Sequence, residues 1–278
     1  MNTNTWFRIA EIEENIFLIE EPGHVNSFLI VGEETSVLID SGTGLSDIRT
    51  AVSPLLRENH LLLNTHWHFD HIGGNTQFET VGISPLEKNL IQKGLSNKLL
   101  KTIYIDPCLQ QGLFLPDGFD AGAYQILGCD PKIDINDGDC FDLGGRILTA
   151  IATPGHTRGS MSFLDDLTES LFCGDFIYRG TLYAHFADSD LDQYVQTLER
   201  LANPALKYNR IFTAHNEPLL ERSFLESVRK GFDQILAGTK TSQQITDWGL
   251  PNDFYQFGEF DVLVKPNGSK GITLVPDL

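Results

Sequence analysis

The chain has 278 residues, of which 41% are hydrophobic, and this length and composition support a sizeable core. Its 38 acidic and 20 basic residues give a formal net charge of −18. No basic run is present that would neutralise phosphates, so the sequence disfavours nucleic-acid partners and favours a small substrate that is uncharged or cationic.

The sequence also lacks the usual targeting signals. Its first residues show no basic start followed by an apolar core, and no run of about 18 apolar residues is present that would span a membrane. The four cysteines, at positions 108, 129, 140 and 173, have neither zinc-ribbon nor disulfide-framework spacing. We therefore expect a cytoplasmic protein with no membrane partner, and nothing in the sequence indicates its oligomeric state.

The first 60 residues predict several strands followed by a helix. Apolar runs bounded by turn residues predict strands near 6–9, 15–20, 26–31 and 35–39. The next segment, 45–59, predicts a helix with an apolar stripe, although Pro54 interrupts it. The stripe consists of Ile48, Val52, Leu55 and Leu56.

The densest group of potential metal ligands lies in residues 65–75, directly after the apolar run 61–63. Its members are His66, His68, Asp70 and His71. Imidazole and carboxylate groups are ligands that Zn²⁺ accepts, but a catalytic zinc keeps only about three protein ligands. Four potential ligands are more than one such ion needs, so a second ion is expected if other segments supply the remaining ligands.

Residues 84–128 interrupt the regular pattern of the chain. They contain three prolines and scattered aromatic residues, with only partial helical periodicity. Long insertions in compact domains often act as lids or binding loops, so residues 102–125 are predicted to help form the substrate pocket. The alternative is that this segment is a surface loop that takes no part in substrate binding.

The remaining potential ligands each follow a short apolar run that predicts a strand. His156 follows 147–152, Asp175 follows 171–173 and His215 follows 211–213. Functional sites of sheets flanked by helices collect at the carboxyl ends of strands, so we expect these residues to converge on the 65–75 group. Asp40 also follows a strand and would accept the second N–H of a ligating histidine.

The last third of the chain predicts two amphipathic helices and a tail. The helices run from an N-cap at Ser189 to about 201, and over 219–237. A C-terminal extension from about 240 contains predicted strands at 261–264 and 272–275.

The order of these motifs resembles the metallo-β-lactamase-fold superfamily of hydrolases over residues 15–216. The shared pattern is Leu-Ile-Asp-Ser-Gly, His-x-His-x-Asp-His, Pro-Gly-His-Thr, Gly-Asp and a late His. This resemblance implies an α/β fold, an αββα sandwich of two mixed sheets flanked by helices. We expect residues 1–278 to form a single domain with a lid-like insertion at about 84–128.

The resemblance implies two metal ions, most simply Zn²⁺, with Fe or Mn as alternatives. Asp175 would bridge the two ions. The implied ligands are His66, His68 and His156 for the first ion, and Asp70, His71 and His215 for the second.

The reaction implied by the resemblance is hydrolysis of an ester-like bond in a small molecule by a hydroxide that bridges the metals. The bond would be a lactone, ester or thioester, and an acyl chain fits such a substrate. Asp70 would orient the hydroxide and move a proton, and Tyr178 would donate a hydrogen bond to the developing oxyanion. Asp175 stands where one class of β-lactamases has cysteine, so a dedicated β-lactamase is not expected.

Three alternatives remain open at this point. His66, His156 and Asp175 would also form the two-histidine, one-carboxylate triad of an iron dioxygenase of the same fold. A thioesterase similar to glyoxalase II is another reading, although residues 216–278 show no counterpart of its glutathione-binding region. The third is a metal-dependent binding protein without catalytic activity.

Overall fold

The computed structural model describes residues 6–247, 249–266 and 268–274. The chain divides after Thr149 into two compact units, residues 1–149 and 150–278. No helix in the described ranges is long and apolar enough to cross a membrane.

The first unit is built around a seven-stranded mixed sheet whose strands follow the chain order from β1 to β7. The pairs from β1 to β4 are antiparallel, and those from β4 to β7 are parallel. The strands are Arg8–Glu13 (β1), Ile16–Glu21 (β2), Val25–Val31 (β3), Thr35–Ile39 (β4), Asn59–Leu63 (β5), Val81–Ile83 (β6) and Ile133–Asp134 (β7).

Three of the four strands predicted before residue 40 agree with the structure to within about one residue. These are β2, β3 and β4, and β3 is buried along its whole length. The first strand runs over 8–13 rather than 6–9. It is an exposed edge strand with a register shift between Glu11 and Glu13, so it lacks the apolar alternation that would have marked its bounds.

The α-helices of the first unit are short, and a π-helical segment, Lys101–Ile105, joins the last two of them. These α-helices are Ile48–Val52 (α1), Phe69–Ile72 (α2), Lys88–Lys93 (α3), Asn97–Leu100 (α4) and Asp106–Gln111 (α5). The helix predicted over 45–59 is therefore wrong in length. The Asp47 side chain caps its N-terminus, and the helix ends at Val52 because Pro54 cannot donate a backbone hydrogen bond and disfavours helical backbone at Ser53.

A second mixed sheet has the strand order β14-β13-β11-β10-β9-β8. The remaining strands of the chain are Cys140–Asp142 (β8), Ile147–Ala152 (β9), Met161–Asp165 (β10), Ser170–Phe172 (β11), Gly180–Ala184 (β12), Arg210–Phe212 (β13), Leu219–Glu221 (β14), Gln243–Asp247 (β15), Leu250–Gln256 (β16) and Phe260–Val264 (β17). The four strands β12, β17, β16 and β15 form a third sheet in that order.

The core of the second unit combines buried residues of β11, β12, β13 and β17 with those of its two amphipathic helices, Leu191–Ala202 (α6) and Arg222–Leu236 (α7). The ring of Tyr194 stacks on that of Phe232, with 4.5 Å between centroids, and on that of Phe176 at 4.6 Å. The apolar stripes correctly predict both helices, but the side chain that caps α6 is that of Asp190 rather than Ser189. The strand predicted at 261–264 is confirmed as β17, whereas in the described part of the strand predicted at 272–275 only Ile272 forms a bridge, to Phe186.

Candidate metal centre

The first unit gathers the histidines of the 65–75 segment immediately after β5. His66, His68 and His71 are buried, and the ring centroid of His66 lies 4.6 Å from that of His68 and 4.1 Å from that of His71. Asp70 and His71 lie on α2, with 3.8 Å between Asp70 Oδ2 and His71 Nε2. Asp70 is the most accessible of the four, because 17% of its side chain is exposed.

Asp40 supports this group from the end of β4. Its Oδ2 accepts hydrogen bonds from His71 Nδ1 at 2.8 Å and from Thr65 Oγ1 at 2.7 Å, and its Oδ1 accepts from Thr65 N at 2.7 Å. The predicted histidine-to-Asp40 hydrogen bond is therefore present. Thr65 Oγ1 in turn accepts from His66 Nδ1 at 3.0 Å, a contact that the sequence did not predict.

A second set of hydrogen bonds fixes the loop after α2. Asn64 Nδ2 donates to the carbonyl of His71 at 3.0 Å, and Asn75 Nδ2 donates to Asn64 Oδ1 at 2.8 Å. At Gly73 an added Cβ would lie 2.1 Å from the carbonyl carbon of Thr43, so this position has room only for glycine.

The second unit holds the other three candidate ligands at the ends of its strands. His156 follows β9, Asp175 follows β11 and His215 follows β13. Asp175 Oδ2 lies 3.6 Å from His156 Nε2, and Asp175 Oδ1 lies 3.0 Å from His215 Nε2. Each carboxylate oxygen of Asp175 thus faces a different histidine.

The tautomers of three histidines suit a metal. The Nδ1 atoms of His66, His71 and His156 donate to Thr65 Oγ1, Asp40 Oδ2 and the carbonyl of Tyr183, the last at 2.8 Å. Because Nδ1 carries the proton in each neutral ring, Nε2 carries the lone pair with which imidazole binds a metal. This donor set, with the Asp175 carboxylate, fits divalent metal ions.

The thiol of Cys173 does not belong to this donor set. Cys173 is buried at the end of β11, and its Sγ donates to the carbonyl of Ile177 at 3.3 Å. Burial raises its pKa to about 12, so the thiolate that would bind zinc is not formed at neutral pH. Cys173 is therefore a buried packing residue directly after the strand.

Tyr178 is buried three residues after Asp175, and its ring packs edge-on against His215 with 5.2 Å between centroids. Its hydroxyl donates a short hydrogen bond to the carbonyl of Thr181. An oxyanion role for Tyr178 stays a prediction, and it requires the hydroxyl to turn away from Thr181.

Comparison with known proteins places the chain in a family. The family described as Metallo-beta-lactamase superfamily matches residues 21–215. The chain belongs to the metallo-β-lactamase superfamily. Its sequence motifs therefore identified the family correctly, and the α/β fold with mixed sheets and flanking helices is confirmed.

Among curated members of the superfamily, the chain is 30% identical to the human acyl-coenzyme A thioesterase MBLAC2, with 72% of this chain and 77% of that protein covered. It is 27% identical to the lactamase-like protein aptB of Emericella nidulans, with 64% and 47% covered.

Solved structures of the superfamily share the fold. A metallo-beta-lactamase family protein from Thermus thermophilus gives a TM-score of 0.61 at 19% identity, covering 86% of each chain. An archaeal superfamily protein from Sulfolobus tokodaii gives 0.57 at 24% identity, covering 82% of this chain and 85% of that one. With this membership and its cluster of histidines and aspartates, the chain is a metal-binding hydrolase of the superfamily.

Proposed function

We propose that this hydrolase cleaves the acyl thioester bond of a small molecule, with acyl-coenzyme A as the first substrate class to test. The proposal is supported by seven histidine and aspartate side chains that could hold metal ions, in a chain that is 30% identical to an enzyme named as an acyl-coenzyme A thioesterase. A thiol has a pKa of about 8.5, so the thiolate released from a thioester is stable enough to leave without strong general-acid assistance. This chemistry needs only a nucleophile and carbonyl polarisation.

The proposal assigns two metal ions, Zn²⁺ in the first instance, to the seven residues. One ion would be held by His66, His68, His156 and Asp175, and the other by Asp70, His71, Asp175 and His215. When bound, such ions polarise a carbonyl and lower the pKa of water to about 7.

Asp70 is the residue that we propose to orient the attacking water and to move its proton. It is the more exposed carboxylate of the two candidate aspartates, with 17% of its side chain accessible against 7% for Asp175. The neighbouring residue Phe69 is half-buried, so part of its apolar surface is accessible next to Asp70.

The lid-like insertion is proposed to bind the acyl chain. Tyr104 packs on Phe69 with 4.8 Å between ring centroids, and its hydroxyl donates to His24 Nδ1 at 2.5 Å. His24 Nε2 donates in turn to the carbonyl of Phe114 at 2.9 Å. Tyr104, His24 and Phe69 are all half-buried, so this patch offers a fixed, partly accessible aromatic surface next to Asp70.

Metal analysis and a substrate panel test the proposal. The purified chain would be analysed for metal and assayed with acyl-coenzyme A, an acyl-homoserine lactone, a p-nitrophenyl ester and a cephalosporin. We expect about two divalent ions per chain and the highest kcat/KM on the thioester. One iron per chain with oxygen consumption would instead identify a dioxygenase, and metal binding without any turnover would identify a binding protein.

A substitution at Asp70 tests its role within the same assay. Asp70→Asn should lower kcat by about 100-fold or more, the usual contribution of a positioned acid or base. Asp130→Asn is the matched control, because Asp130 is exposed and pairs only with the neighbouring surface groups Gln92 and Lys132. Near-normal turnover by Asp70→Asn with metal bound would contradict the assignment.

A further inference from the structure

Residues 183–190 surround the metal-ligand candidate His156. The carbonyl of Tyr183 accepts from His156 Nδ1 at 2.8 Å, and Ser189 Oγ donates to the carbonyl of His156 at 2.6 Å. The ring of Phe186 meets that of His156 edge-on, with 5.7 Å between centroids. The ring, tautomer and backbone of His156 are therefore all fixed by this one segment.

The segment 183–190 is itself held by Lys265, which follows β17. The Nζ atom of Lys265 donates to three backbone carbonyls, those of Phe186 at 3.1 Å, Ala187 at 3.2 Å and Ser189 at 2.6 Å. An ammonium group has three donors, and all three are used on one stretch of four residues. Because Lys265 donates to backbone carbonyls rather than to side-chain carboxylates, it constrains the backbone conformation of residues 186–189.

Further contacts from the C-terminal extension reinforce this attachment. The amide of Ile272 donates to the carbonyl of His185 at 3.2 Å, and the amide of Ala187 donates to the carbonyl of Ile272 at 2.8 Å. His185, only 1% exposed, places Nε2 3.2 Å from Asp247 Oδ2 at the end of β15. Strands β12 and β15 are the two outer strands of the third sheet, so this pair joins its opposite edges.

We propose that Lys265 is a positioning residue for the metal ligand His156, and that the C-terminal sheet thereby controls metal binding by the His66, His68, His156 and Asp175 set. The inference rests on the proposed metal centre. The hydrogen bonds that Lys265 Nζ makes in the described part of the chain go to Phe186, Ala187 and Ser189, none of which is a candidate metal ligand. Lys265 acts by setting the conformation of 186–189, and through Tyr183, Phe186 and Ser189 it sets the direction of the His156 ring.

Cobalt titration of the metal-free chain tests the inference apart from activity. Lys265→Met keeps the length and apolar stem of the side chain and removes all three donors. Because loss of groups that orient a ligating histidine typically weakens metal affinity by 10–100-fold, we expect one of the two Co²⁺ ions to bind about 10-fold or more weakly, with an altered visible absorption spectrum. The second ion should bind as in the wild type.

Two further variants separate positioning from general damage. Lys265→Arg retains donors for the carbonyls and should recover part of the lost affinity. Lys240→Met is the matched control, since Lys240 lies over the ring of Phe257, 4.7 Å from its centroid, in the same unit and has no contact with 183–190 in the structure described. Thermal unfolding of the three metal-free variants reports whether each is folded.

The Co²⁺ titrations of these variants distinguish the possible results. Selective weakening of one ion in Lys265→Met, with recovery in Lys265→Arg and none of the loss in Lys240→Met, supports the inference. Wild-type affinity for both ions in a folded Lys265→Met chain, or equal weakening of both, overturns it. A wild-type chain that binds no Co²⁺ overturns the proposed metal centre itself.

Discussion

At the scale of single residues, Asp40 shows what the sequence could and could not predict. Its position after a strand indicated that it would accept a histidine N–H, because β4 and β5 are adjacent parallel strands whose ends reach the same edge. The pattern did not predict the two additional hydrogen bonds from Thr65 or the left-handed backbone of Asp40, with φ of 61°. Those features depend on tertiary contacts between segments 25 residues apart.

We predict that Asp40→Ala destabilises the metal-free chain. The substitution leaves the buried amide of Thr65 without its acceptor, and an unsatisfied buried donor costs about 1–3 kcal/mol. Denaturant unfolding would measure the change in the free energy of unfolding. Asp134→Ala is the control, because it removes only an exposed ion pair with Lys88, a class of interaction worth about 0–1 kcal/mol. Equal effects in the two variants would contradict this account.

At the scale of whole elements, strand ends were easier to predict than helix lengths or long-range pairing. The strands before His66, His156, Asp175 and His215 are short, apolar and bounded by turns, and all four are present. The helix at 45–59 was overestimated because its apolar stripe continues to Leu55 and Leu56, beyond the point before Pro54 where the helix ends. The third sheet was missed because β12 pairs with β17, eighty residues later, as in Gly180 opposite Phe260.

The insertion at 84–128 gives a prediction at this scale. It carries four of the nine large hydrophobic residues that are exposed in the described part of the chain, including Phe114 at 82% exposure. If its aromatic surface binds the acyl chain, Tyr104→Ala should lower kcat/KM for long-chain thioesters about 10-fold more than for short-chain ones.

Two controls complete that measurement. Tyr104→Phe keeps the ring against Phe69 and removes the hydrogen bond to His24, so it should retain most of the chain-length preference. Leu167→Ala removes an exposed apolar side chain outside the insertion and should leave the preference unchanged. A uniform loss across chain lengths in Tyr104→Ala would argue against acyl binding there.

At the scale of the whole molecule, the net charge of −18 predicts how the proposed substrate approaches. Coenzyme A thioesters carry phosphate charges, so long-range repulsion should slow their association at low ionic strength. Raising the salt concentration from about 0.01 M to 0.15 M shortens the screening length from about 30 Å to about 8 Å. We therefore expect kcat/KM for acyl-coenzyme A to rise over this range.

The matched substrate for this measurement is an acyl-pantetheine thioester, which has the same reacting bond and no phosphate. Its kcat/KM should change little with salt, because the repulsion acts only between charges. A fall in kcat/KM for acyl-coenzyme A as salt increases would instead indicate a local basic surface that attracts the phosphates.

The pairing of β12 with β17 affects which fragments of this protein can fold when they are expressed alone. A fragment that ended at residue 215, where the superfamily match ends, would still contain every candidate metal ligand. It would lack residues 260–264, so the whole length of β12 would lose its hydrogen-bonded neighbour. An uncovered strand of this kind pairs readily with other chains. Such a fragment should aggregate, although by motif content it would look complete.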